Sequence, residues 1–442
     1  MELGPDFYDP VRPARFPKTL LRYRDEKAAR SVGLDGLSDK DWVRHFGLFE
    51  PLSDNLSEPL ALRYHGHQFQ HYNSDLGDGR GFLFAQIYDD EDRLLDLGTK
   101  GSGQTPYSRR GDGRLTLLGG IREVLATRYL QHLGVNTSRS LSLIETGEAL
   151  QRNDEPSPTR SAVLVRLSHS HIRFGTFQRQ AFFNNADNLE KLVAYSCRHF
   201  YPDRDTPDTL LDGVVKNSAD MVAGWMAAGF VHGVMNTDNM NITGESFDYG
   251  PYRFLPVLSP GYTAAYFDHN GLYAFGRQAE AMYWNLAQLA QSLSLICDDD
   301  KLLEALKGFS PAYRKALQGH IFRRLKIQTR DLEEDMTFIQ STFNFLEKSG
   351  ASWPQFWADW EGGAQNKAHA IKGPNKAFYQ GEDFKDWYER LKTYEAVINV
   401  PEKNGASLPD RLLYEDIEAL WEPIDKEDDW SAFEEKLACF TN

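Results

Sequence analysis

Two long helical runs, Leu210 to Phe230 and Glu280 to Ile296, bracket a stretch too rich in polar and turn residues to continue either of them. It contains HGVMNTDNMNITGESFDYG, His232 to Gly250, which places Asp238, Asn239 and Asp248 within one loop and turn. Short runs around Met240, Phe247 and Phe267 read as strands and loops of the same region. A chain of this kind carries its chemistry on a loop held between helices. Asn and Asp are also ordinary turn formers, so the meaning of the loop depends on what accompanies it.

Upstream, GFLFAQIYDDEDRLLDLGTK places two β-favouring runs around the acidic turn Asp89 to Asp92, which predicts a hairpin with Lys100 at the end of its second strand. Leu118, Ile121, Leu125 and Tyr129 recur at helical spacing between Arg114 and Leu133, and Gly134 supplies a stop. Arg160 to Leu167, RSAVLVRL, reads as a buried strand after the polar loop NDEPSPT, with a lobe boundary near it. Residues 1–60, rich in Pro, Asp and Arg, read as an irregular arm packed on the body. From Lys301 onward the chain reads as mostly helical and Trp-rich, with a loop from Gly362 to Lys376.

Asp238, Asn239 and Asp248 form a sparse oxygen set of the kind Mg²⁺ uses when phosphates and water complete its octahedron. The spacing from His232 to Asn239 equals that from His to Asn in the kinase pattern HRDxxxxN, and Asp248 opens a later DYG. Asn239 and Asp248 therefore fit the metal-holding parts of a kinase site. Val234 stands where a kinase has its catalytic Asp, which leaves Asp238 as the nearest replacement base. Lys100 and Glu123 match the strand-Lys and helix-Glu ion pair that positions phosphates.

LGDGRG (Leu76 to Gly81) and KGSGQTPYSRRGDGR (Lys100 to Arg114) are glycine-rich and basic, so backbone N–H groups can approach phosphate oxygens, with Gly77, Gly79 and Arg80 forming a loop over the ligand. Neither is a Walker A loop, and tight turns alone would also use such glycines. Arg166 and Arg173, in RLSHSHIRFGTF, offer planar forks suited to phosphate. His65, His67 and His71 match no common zinc spacing and read as local hydrogen-bonding and packing residues.

At 442 residues the chain is long enough for two lobes. Its net charge of −15 disfavours broad attraction to nucleic acid or to an anionic membrane, so any basic site must be local. Cys197, Cys297 and Cys439 are far apart and read as inert thiols. No run approaches the roughly 18 apolar residues needed to span a bilayer. The start of the chain has no apolar core of a secretory signal, so a cytoplasmic protein is expected.

Taken in order, HGHQF, LGDGR, KGSGQTPYSR, DGR, IRE, LVRLSHSHIRFGTF, HGVMNTDNM and DYGP resemble the selenoprotein O family, densely over residues 60–290. The resemblance implies an α+β, bilobal, protein-kinase-like fold with an N-terminal arm and a helical C-terminal extension. Residues 1–60 would be the arm, 61–165 the N-lobe, 166–345 the helical C-lobe and 346–442 the extension. It implies a protein adenylyltransferase that moves AMP from ATP onto Ser, Thr or Tyr hydroxyls of proteins, itself among the candidates, with Mg²⁺ or Mn²⁺. By motif match Asp238 would accept the proton, Asn239 and Asp248 would hold the metal, and Glu123 would support Lys100. Nucleotide contacts would fall on Gly77, Gly79, Arg80, Lys100, Asp112, Gly113, Arg166, Arg173 and Asp248.

Uridylyl transfer, ordinary phosphoryl transfer and a non-catalytic nucleotide-binding pseudokinase scaffold are the competing readings. The chain departs from the family pattern at Gln70, Asp75 and Gly119–Gly120. Ala264 stands where many bacterial members carry Cys, and Cys439 is alone near the terminus, which speaks against a redox link between tail and catalytic lobe.

Overall fold

The computed structural model describes residues 2–153, 155–397 and 409–440. Its centre is an antiparallel sheet in the order Tyr8–Pro10, Leu60–Leu62, Leu83–Tyr88, Leu94–Lys100, Thr159–Ser168, Arg139–Leu150, Leu20–Arg24, with Leu115–Thr116 also pairing on Thr159–Ser168. Leu83–Tyr88 and Leu94–Lys100 form a hairpin turned by Asp89. Its carboxylate accepts from the N–H groups of Glu91 (3.1 Å) and Arg93 (2.8 Å) and pairs with the Arg93 guanidinium (2.7 Å). Lys100 is the last residue of the second strand.

Thr159–Ser168 carries the unbroken apolar run Ala162 to Val165 at its middle because both of its faces are covered there. Successive side chains point to opposite faces of a strand, so Ala162 and Leu164 join the large core with the Leu117–His132 helix, while Val163 and Val165 join a smaller core with Trp42, Phe46 and Phe49. Burying each such large side chain contributes about 1.5–3 kcal/mol. The first 60 residues therefore do more than wrap the body. They supply both edge strands of the sheet and the helix Asp39–Phe46, whose Trp42 and Phe46 cover one face.

The helix Leu117–His132 starts where the Thr116 hydroxyl accepts from Gly119 N–H (3.1 Å). Ile121, Val124 and Leu125 are buried, and so is Glu123, which turns toward Lys100. The helix Pro207–Ala228 ends at Gly229 in the left-handed region (φ 69°), and Gln278–Leu293 follows the polar segment. Between them, the runs around Met240, Phe247 and Phe267, read as strands and loops, are mostly loop. Among the described residues the ladder there is only Phe230–Val231 with Arg253–Phe254, followed by a 3₁₀ turn at Thr237–Asn239. Side chains take over the backbone bonding, as where Asn241 Nδ2 donates to the Ser170 carbonyl (2.6 Å).

Helices from Asp299–Lys307 to Ser431–Cys439 make up the rest, with Trp353, Trp357, Trp360 and Trp387 packed together. Gly362 to Lys376 is largely loop, with a 3₁₀ turn Gly363–Asn366 and one short helix, Lys367–Ala370. The terminal helices return to the sheet, where Asp428 pairs with Arg22 (2.9 Å) and Arg160 (2.6 Å).

Candidate active site

The end of the Leu94–Lys100 strand, the Leu117–His132 helix and the loop after Phe230–Val231 converge on a cleft of about 780 Å³. Lys100, Arg166, Arg173, Asp238, Asn239 and Asp248 face it; Gly77, Gly79, Arg80, Asp112 and Gly113 form part of its wall. Glu123 lies behind them. It pairs with Lys100 and accepts from Arg166 (3.0 Å), so it fixes two cations without lining the cleft.

Asp248 is the electrostatic centre. Its Oδ1 lies 2.6 Å from Lys100 Nζ and 3.5 Å from Arg166, and its Oδ2 lies 3.5 Å from Arg173. Burial pushes its carboxyl up, but Lys100, Arg166 and Arg173 outweigh burial and hold it well below the usual carboxylate range. Asp248 sits in the left-handed region (φ 64°), uncommon for a residue with a Cβ and a mark of a constrained site. The preceding Phe247 ring lies under Arg166 (5.4 Å) and Arg173 (4.8 Å).

The loop is held from several sides. His232 N–H donates to Gln278 Oε1 (3.0 Å), and its ring Nε2 is 3.2 Å from the Phe247 carbonyl, joining the loop to the turn at Asp248. Asn285 Nδ2 donates to the Met235 carbonyl (2.8 Å), and Thr237 Oγ1 donates to Gln178 Oε1 (2.6 Å). Asn239 Nδ2 donates to the Val234 carbonyl (2.9 Å), which fixes the direction of its amide. Arg173 donates to the Asp238 carbonyl (2.7 Å).

Asp238 itself is buried, and its Oδ1 has no hydrogen-bond partner among the described residues. Burial, opposed by Arg173, pushes its carboxyl up to about 6. A buried polar atom is normally satisfied. An unsatisfied carboxylate oxygen that lines a cleft is arranged to receive something from it.

The two glycine-rich segments pack against each other. A Cβ on Gly77 would stand 2.3 Å from the Tyr107 ring, and one on Gly113 (φ 70°) would stand 2.2 Å from the Gly103 backbone. Asp112, reached in sequence only through the family resemblance, is held by both amino groups of Arg152 (2.8 and 3.2 Å).

His65, His67 and His71 have local partners. The His65 ring meets Tyr72 Oη (2.8 Å), His67 meets Gln178 Nε2 (2.7 Å), and His71 meets the Phe69 carbonyl (3.0 Å). The three cysteines are free thiols, and Ala264 packs beside Gly233.

Several cleft residues escaped the sequence reading. Asp78 sits inside LGDGR and Arg109 and Arg110 inside KGSGQTPYSRRGDGR, so those motifs carried them unnoticed. Arg152 arrives from a distant polar loop and His171 from the Arg166 segment, where no local pattern separates them from surface residues.

No group of three or more His, Cys, Asp or Glu that could hold a metal is present among the described residues. The available donors are the Asn239 amide oxygen and the Asp248 carboxylate, beside the unpartnered Asp238 Oδ1. Such a set is incomplete as a protein cage but fits a hard divalent ion that shares its shell with phosphate and water. No helix of the described residues is long and apolar enough to cross a membrane.

The family model described as "Protein adenylyltransferase SelO" matches residues 1–440. The chain is similar to proteins named "Protein nucleotidyltransferase YdiU". It is 42% identical to the one from Trichormus variabilis, over 98% of this chain and 92% of the relative. Against the one from Synechocystis sp. the identity is also 42%, over 98% and 94%. Against the one from Gloeobacter violaceus it is 43%, over 98% and 92%. With its whole length matched in this way, the chain belongs to the SelO family of protein nucleotidyltransferases.

Proposed function

We propose that this chain is a metal-dependent protein adenylyltransferase of the cytoplasm that transfers AMP from ATP to Ser, Thr or Tyr hydroxyls, its own included. In this reading residues 61–165, which carry most of the central sheet and the Leu117–His132 helix, form the N-lobe of a bilobal, protein-kinase-like body, with edge strands added by the arm. Residues 166–345 form the helical C-lobe, 1–60 the arm and 346–442 the extension. The observation that carries the reading is the pairing of Asp248, gripped by Lys100, Arg166 and Arg173, with an unpartnered, buried Asp238 in the same cleft.

Asn239 and Asp248 would hold Mg²⁺ or Mn²⁺, which when bound supplies charge neutralisation to the phosphates. Lys100, Arg166 and Arg173, with Arg80, hold the triphosphate, and Glu123 keeps Lys100 and Arg166 aimed. Gly77, Gly79 and Gly113 let the backbone approach the nucleotide, and the Asp112–Arg152 clamp fixes the wall beside it. Asp238 takes the proton from the acceptor hydroxyl. The hydroxyl oxygen bonds to the α-phosphorus, the bond from that phosphorus to the bridging oxygen breaks, and pyrophosphate leaves. Such a displacement depends mainly on position and electrostatics, so Val234 in place of the kinase Asp does not preclude it.

Incubation with ATP labelled at the α-phosphate, at the γ-phosphate, or with α-labelled UTP tests the proposal. Protein-bound label from α-labelled ATP is the expected result. Label from the γ-position alone would indicate phosphoryl transfer, label from UTP in preference to ATP uridylyl transfer, and no label a binding scaffold.

A further inference from the structure

Beside the glycine-rich wall the chain makes a turn whose residues suit it poorly. Gly111 N–H donates to the Ser108 carbonyl (2.6 Å), and both central residues, Arg109 and Arg110, have positive φ, 46° and 71°. That is the form of a type I′ turn, which favours Asn and Gly and disfavours side chains such as arginine's. The turn is nonetheless firmly held. Ser108 Oγ donates to the Gly79 carbonyl (2.6 Å), Thr105 Oγ1 to the Asp78 carbonyl, and Gln104 Nε2 to the Gly111 carbonyl (2.8 Å).

Both arginines are exposed and line the cleft, yet among the described residues neither makes a hydrogen bond or ion pair through its side chain. Of the other cleft cations, Arg80 is likewise exposed and without a side-chain partner among the described residues, whereas Lys100 and Arg173 pair with Asp248, Arg166 with Glu123, Arg114 with Glu148 and Arg152 with Asp112. The charge of Arg109 also reaches the Asp238 carboxylate.

We propose that Arg109 and Arg110 select acceptor polypeptides that carry acidic residues beside the modified hydroxyl. The inference rests on Asp238 as the acceptor's base. A hydroxyl seated at Asp238 brings its sequence neighbours, about 3.3 Å per residue along an extended segment, to the rim of the cleft. There the two guanidinium forks can take carboxylates in paired hydrogen bonds. The buried cations lie deeper and serve the nucleotide. A chain of net charge −15 repels an acidic segment over most of its surface, so this rim directs where one can land.

The test uses the full chain with Mg²⁺ or Mn²⁺, α-labelled ATP and three synthetic peptides that share one tyrosine acceptor flanked by Glu, Gln or Lys. The Glu peptide is expected to have a kcat/KM about fivefold to tenfold above the Gln peptide, a preference that fades with added salt. In the double variant Arg109→Ser, Arg110→Asn, in which Asn keeps a residue tolerant of the turn, the preference disappears while KM for ATP stays in place. Equal rates on Glu and Gln peptides with the native chain overturn the inference. So does a double variant that keeps the preference and raises KM for ATP, because the arginines then serve the nucleotide. Absence of α-label on every peptide and on the protein itself removes the adenylyl-transfer reading and this inference with it.

Discussion

Lys100 Nζ lies 2.6 Å from Asp248 Oδ1 while the same ammonium group pairs with Glu123 on the neighbouring helix. One side chain thus links the sheet, the helix and the turn at Asp248. Lys100→Met is expected to raise KM for ATP and lower kcat by about 10²-fold, the scale of losing one fixed charge at a reacting phosphate. Glu123→Gln, at a residue that lies behind the cleft without lining it, is expected to lower kcat/KM by about tenfold through the displaced Lys100. Steady-state kinetics over a range of ATP concentrations separates the two.

Asp248→Ala removes a carboxylate on which three cations converge. Metal-dependent ATP binding is expected to vanish in titration calorimetry, and turnover to fall by about 10²–10³-fold. The ligand-free variant is expected to be less stable by about 2–4 kcal/mol in denaturant unfolding, because Lys100, Arg166 and Arg173 then face one another with less compensation.

The Asp238 carboxyl, pushed up by burial to about 6, gives a pH signature in both rate and stability. As a base it must be ionised, so kcat/KM is expected to rise with pH to a plateau with its midpoint near 6. Stability runs the other way. The folded form keeps a proton that the unfolded chain releases near the ordinary value of 3.8, so stability falls as pH rises from there through about 6. Asp238→Asn is therefore expected to raise the unfolding free energy at pH 8, by about 3 kcal/mol at most, and to leave it nearly unchanged at pH 3. The same variant loses about 10²–10⁴-fold in rate.

Gly77→Ala places a methyl group against the Tyr107 ring, which cannot swing freely because its hydroxyl donates to Asp9 (2.5 Å). The glycine-rich wall must shift instead. ATP affinity is expected to drop by about tenfold, with a Tm change of only a few degrees; calorimetry and a thermal melt together distinguish a displaced loop from an unfolded protein.

The sequence carried the regular elements well, because the β-favouring runs on either side of the Asp89 turn and the helical spacing through Ile121 and Leu125 each mark residues that have to be buried. Between Met240 and Phe267, read as strands and loops, Arg253–Phe254 is the only strand among the described residues, and buried aromatic residues sit on loop backbone tied by side chains such as Asn241 and His232. The edge strands from the first 60 residues were hidden because each is short and Tyr8–Pro10 ends in proline. Within the candidate site, Asn239 and Asp248 were legible because they follow the kinase register, Lys100 because it ends a predicted strand, and Asp238 because it adjoins Asn239. Arg109 and Arg110 were not, since a left-handed turn has no signature when arginine occupies it. Arg152 becomes visible only once folding brings it to Asp112.

The most direct measurement is a crystal structure of this chain with a divalent ion and a non-hydrolysable ATP analogue. One ion bound to Asn239 and Asp248, with the α-phosphorus facing Asp238, is the result expected of adenylyl transfer. A γ-phosphate turned toward Asp238, or Asn239 and Asp248 pointing apart without an ion between them, would contradict it.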